Sequence, residues 1–146
     1  MTANLWWKDI RIGNPDMTSN AIKACVFDVF GSVVDWRTSI AREAKASLAP
    51  KGIDIDWHAF ADSWRGKYQP AMEKVRNGGR GFLRLDILHR ENLDELLNEQ
   101  GIKGLSEDEL IHLNKAWHRL DGWPDSSVGL TRLKTKFIIG TMSNGN

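Results

Sequence analysis

Two stretches of this chain read as β-strand, and they lie at opposite ends of it with helical sequence between. Ile22 to Val29 is a short apolar run rich in β-branched and aromatic residues; it contains Asp28 and is followed by Gly31. That pattern is a buried parallel strand meeting a turn. Lys136 to Met142, with Phe137, Ile138 and Ile139, repeats it, and Ser143-Asn144-Gly145-Asn146 follows. A helical insertion after the first strand of a parallel α/β sheet produces this order. The insertion then lies as a cap over the carboxyl edge of the sheet, where open α/β folds usually bind ligands. The first and last strands are expected to be neighbours.

The intervening sequence predicts helices one after another. Thr38 to Leu48 carries Ala, Glu, Lys and Leu and stops at Pro50 and Gly52. Phe60, Trp64, Tyr68 and Met72 recur every four residues, an apolar stripe with Arg65 at its edge, ended by Asn77-Gly78-Gly79. Asp86 to Gln100 places Leu93, Leu96 and Leu97 on one side. Ser106 and Glu109 form a capping-box pair ahead of Leu110, Leu113 and Trp117. Pro124-Asp125 opens a shorter helix through Leu133. The domain reading is an extension over 1–20, a core from 21–36 and 120–146, and a helical cap over 37–119.

Composition narrows the function classes. Twenty basic and nineteen acidic side chains give a net charge of +1, which offers no footprint for nucleic acid or an anionic membrane. No apolar run approaches the roughly 20 residues of a membrane span, and the N-terminus lacks the order of a secretory signal. A small molecule is the expected partner and the cytoplasm the expected location. The single cysteine, Cys25, lies in an apolar run and reads as a core residue in a reducing compartment. Trp6-Trp7 and the turn-forming stretch through Pro15 read as a loosely packed extension rather than an interaction segment.

Asp28 is the candidate nucleophile, ending a strand near a glycine that lets a substrate approach the backbone. Read alone, it is equally an aspartate in a strand-to-loop turn. Ser32 is a candidate hydrogen-bonding group, and Asp35 reads as the cap of the following helix. Arg65 alone would be a surface arginine on an amphipathic helix, and Ser143-Asn144 alone a turn. His58, His89, His112 and His118 have no metal-ligand spacing. The Gly-rich segment Asn77 to Gly81 lacks the pattern of a phosphate cradle.

Taken together, Val26-Phe27-Asp28-Val29-Phe30-Gly31-Ser32-Val33-Val34-Asp35-Trp36-Arg37 resembles the first motif of the haloacid dehalogenase superfamily, in its type II L-2-haloacid dehalogenase form. Ser143-Asn144-Gly145-Asn146 resembles the second motif of the same branch, and the resemblance includes the cap helix with Trp64-Arg65. It implies a partial Rossmann-like parallel sheet with an inserted helical cap. It also implies an (S)-2-haloacid dehalogenase acting on short 2-haloalkanoic acids. Asp28 would displace halide to give an ester, and water would release the 2-hydroxy acid. Arg65 would bind the substrate or the leaving halide, Ser143 and Asn144 the substrate carboxylate and halide, and Ser32 the substrate.

Phosphatases of the superfamily carry a second aspartate where this chain has Phe30. A halide leaves without a proton, so Phe30 favours carbon-halogen cleavage. No cofactor and no metal are implied, and the resemblance admits a homodimer. The family's third and fourth motifs, a lysine and polar groups for the hydrolytic water, fall on later strands. The expectation is therefore a chain ending halfway through its core, with the C-terminal half of the core missing, an exposed sheet edge and weakened turnover. The alternatives are a non-catalytic remnant that binds a partner through its cap or open edge and, less favoured, a phosphatase-like hydrolase.

Overall fold

The computed structural model describes residues 22–78 and 80–144. The tryptophan-bearing extension over 1–20 and the motif residues Gly145 and Asn146 lie outside the described residues. The two predicted strands form β1 (Ala24–Phe27) and β4 (Ile138–Thr141), paired in parallel with Phe27 opposite Thr141. Met142 N–H donates to the Phe27 carbonyl at 2.8 Å and carries the ladder one step past the strands. Parallel neighbours need a crossover connection. Here the crossover is the whole helical part of the chain.

A second ladder closes the neck of that excursion. β2 (Val34–Asp35) and β3 (Asp121–Gly122) pair antiparallel. The buried Ser39 hydroxyl donates to the Asp35 carbonyl at 2.6 Å and accepts from Asp121 N–H at 2.9 Å. Ser126 Oγ donates to the Val33 carbonyl at 2.7 Å. Pairs two residues long carry no readable alternation, so the sequence shows no strand here. Arg42 adds an ion pair to Asp121 across the neck.

α1 (Trp36–Leu48) begins where Asp35 accepts Thr38 N–H, as its composition predicts. α2 (Trp57–Gly66) and α3 (Tyr68–Arg76) replace the single helix that the four-residue stripe predicts. The physical reason is Pro70: it has no N–H to give the Gly66 carbonyl, and its ring excludes that carbonyl from the turn. The break sorts the stripe. Phe60 and Trp64 enter the main core, whereas Tyr68 and Met72 pack in a smaller cluster with Leu85 and Leu88.

α4 (Leu85–Glu99) and α5 (Glu107–Asn114) follow, the latter with the full capping box. Lys51 and the Ser106 backbone N–H hold the Glu109 carboxyl down at about 2. α6 (Ser126–Lys134) leads into β4. The core lies among the helices: Ile40, Leu48, Phe60, Trp64, Leu93 and Leu113 are almost fully buried. Trp117 is a hub, with the rings of Phe30, Trp36, Trp64 and His89 at 6.2, 6.3, 5.4 and 4.7 Å.

The strands do not match the expectation of burial. Val26 is 57% exposed and Ile138 71% exposed, and Cys25, expected in the core, is half-buried. Among the described residues the parallel sheet has two strands, too few to enclose two apolar faces. The division predicts unequal sensitivity. Phe60→Ala should lower the unfolding free energy by about 3–5 kcal/mol in urea titration, whereas Val26→Ala should change it by about 0.5 kcal/mol or less.

Candidate active site

The register of β1 and β4 brings the ends of two distant motifs together. Asp28 follows β1 and Ser143 lies just past β4. Ser143 Oγ donates to Asp28 Oδ1 at 2.9 Å. The contact fixes the carboxylate's orientation and leaves Oδ2 free of that bond. Gly31, at φ +94°, takes the chain out of the strand through a turn in which Val29 O accepts from Val33 and Val34 N–H. A side chain at this φ is strained.

The helical part supplies the opposite wall. Asp28, Phe30, Arg65, Tyr68, His89 and Trp117 line a cleft of about 180 Å3 with Ser143 and Asn144. Arg65, half-buried on α2, places its guanidinium carbon 4.4 Å from the centroid of the Tyr68 ring and 6.0 Å from that of Trp36. Those faces attract the cation and restrict its swing. Asn144 Nδ2 donates to the Tyr68 hydroxyl at 2.8 Å, tying the end of β4 to α3. A carboxylate, a guanidinium and two hydrogen-bonding side chains thus face one small space.

Of the residues expected at a site, Asp28, Arg65, Ser143 and Asn144 come together here. Ser32 does not line the cleft. It is exposed on the Gly31 turn, whose backbone bonds close without it. Phe30 forms part of the cleft wall, edge-on to Trp117. Among the described residues no group of three or more His, Cys, Asp or Glu side chains could hold a metal ion.

No family model matches the chain. The (S)-2-haloacid dehalogenase 4A of Burkholderia cepacia is 23% identical over 143 residues, covering 87% of this chain and 52% of that protein. The crystal structure of the defluorinating L-2-haloacid dehalogenase Rha0230 superposes with a TM-score of 0.82 at 50% identity, over 86% of this chain and 52% of the other. That of the L-2-haloacid dehalogenase PA0810 gives 0.76 at 40% identity, over 86% and 53%. The chain's relatives are L-2-haloacid dehalogenases. It spans about half the length of these dehalogenases, and its parallel strand pair under a helical cap matches that part of the dehalogenase fold.

Tyr68, His89 and Trp117 are among the cleft residues that escape a sequence reading for dehalogenase motifs. Tyr68 and Trp117 appear only as members of helical apolar stripes, and His89 as a histidine without spacing. In the structure His89 is buried on α4, between Tyr68 and Trp117. Its Nδ1 has no protein partner. Burial pushes the imidazole down to about 4, against the pull of Asp86 and with a smaller push from Arg65. The ring is therefore neutral at pH 7.

In the unfolded chain His89 titrates near 6.5. Between about pH 4 and pH 6.5 the unfolded state holds the extra proton, so stability is full above that window and falls as the pH drops through it. The loss is on the order of 3 kcal/mol for this group. Urea midpoints for the wild-type and His89→Gln chains should converge as the pH falls from 7 to 4. A pH-independent difference would contradict the burial argument.

Proposed function

We propose that the chain carries the nucleophile-bearing part of an (S)-2-haloacid dehalogenase that converts short 2-haloalkanoic acids to 2-hydroxy acids. The observation that supports it most is the Ser143–Asp28 hydrogen bond at the mouth of a cleft whose far wall holds Arg65. Residues 37–119 act as the cap and the flanking segments as the core. The cytoplasm is the proposed location, since Cys25 is a free thiol suited to a reducing compartment. No helix among the described residues is long and apolar enough to cross a membrane.

The proposed chemistry has two steps. In the first, an Asp28 carboxylate oxygen attacks C2 of the substrate, the carbon-halogen bond breaks, and halide departs with its electron pair. Arg65 and Asn144 stabilise the charge that develops on the halide, and Ser143 holds the nucleophile in register. In the second, water attacks the ester carbonyl. One of its protons passes to the departing alkoxide, the other is released, and the Asp28 carboxylate is restored beside a 2-hydroxy acid.

A phosphate ester is a poorer fit. Its alkoxide leaves as a strong base and needs a proton donor, and the wall position beside Asp28 is occupied by the hydrocarbon ring of Phe30.

Chloride release from L-2-chloropropionate tests the proposal. Asp28→Asn should reduce release on the order of 10^4-fold; release that persists in this variant would remove Asp28 as nucleophile. Arg65→Lys should lower kcat for chloride release about tenfold, the worth of one charge-assisted hydrogen bond made to the departing halide.

A further inference from the structure

The cap arginine and the asparagine after β4 share one neighbour to which the displacement chemistry gives no part. Tyr68 opens α3 immediately after the break that Pro70 imposes, and it is 7% exposed. Its ring lies 4.4 Å from the Arg65 guanidinium carbon, and its hydroxyl accepts the Asn144 amide at 2.8 Å. It also lines the cleft that contains Asp28 and Ser143. A phenol hydroxyl carries one proton and two lone pairs. The Asn144 bond uses a lone pair, so the proton remains to be donated.

The displacement decides where a donor is useful. The leaving halide departs from C2 on the side opposite the attacking oxygen and takes a full negative charge with it. With Asp28 at the strand ends, that side is the cap wall, where Arg65 and Tyr68 stand. Resting on the dehalogenase reading, we propose that the Tyr68 hydroxyl is a third hydrogen-bond donor to the leaving halide, beside the Arg65 guanidinium and the second N–H of the Asn144 amide. The ring has a separate task, holding the guanidinium over its face.

The two tasks have different chemical signatures. Small, hard halides accept stronger hydrogen bonds than large, polarisable ones, and they are also the poorer leaving groups. The hydroxyl therefore matters more for a chloro than for a bromo substrate. The ring contribution is indifferent to the halogen.

Tyr68→Phe removes the hydroxyl and fills the same volume; Tyr68→Leu removes the ring as well. Two readouts separate the roles: the kcat ratio for L-2-chloropropionate and L-2-bromopropionate, and chloride affinity measured by quenching of tryptophan emission without turnover. Tyr68→Phe should lower kcat on the chloro substrate about tenfold and on the bromo substrate several-fold less, with a matching rise in the chloride Kd. Tyr68→Leu should lower turnover of both substrates further. Equal losses on the two substrates, or an unchanged chloride Kd in Tyr68→Phe, would overturn the donor role. If the wild-type chain turns over both substrates and Tyr68→Phe matches it, this inference alone fails. If the wild-type chain neither binds chloride nor releases halide, the dehalogenase reading fails and takes this inference with it.

Discussion

Everything in this structure depends on two parallel strands being neighbours in space while lying at opposite ends of the sequence. A parallel pair cannot be joined by a tight turn, so the chain that leaves β1 at Phe27 must travel over and return to β4 on the same side. The return fixes the distance between Asp28 and Ser143, which no local sequence could set. It also forces the outgoing and incoming segments past each other at a neck. There the β2–β3 ladder and the hydroxyls of Ser39 and Ser126 satisfy backbone groups that would otherwise be lost in the passage.

The energetic weight of the fold sits on one side of that neck. Buried leucines and a ring of aromatics around Trp117 hold the helices together, while the strands contribute little enclosed apolar area. The cleft forms at the seam between these unequal parts. Its carboxylate side is set by strand register and its cationic side by helix packing. One polar contact joins the sides, the hydrogen bond from Asn144 to the hydroxyl of Tyr68, whose ring also packs under the Arg65 guanidinium. The shape of the cleft is thereby coupled to how the helical part sits on the strand ends.

The sequence made some of this legible because particular side chains act locally. Asp28 and Ser143 stand after strand-like runs, Asp35 caps the helix it precedes, and Ser106 and Glu109 meet across one helical turn. Arg65 is marked by motif resemblance, not by its spacing. What stayed hidden depends on packing over distance. A four-residue stripe cannot say that Tyr68 turns to a different cluster from Trp64, although Pro70 was the available signal for the break. Nor can spacing show that His89 becomes a neutral wall of the cleft, since its shift comes from burial among rings brought in from other helices. Ser32 carries a motif position that suggests binding, and the structure shows it exposed on the Gly31 turn.

The most direct measurement is the mass of the peptide containing Asp28 after the protein is mixed with L-2-chloropropionate and quenched in acid within a single turnover. Covalent displacement by this carboxylate predicts a propionate ester on Asp28, formed with one chloride released per adduct and absent from Asp28→Asn. Chloride release with Asp28 unmodified throughout, or an adduct on another residue, would contradict it.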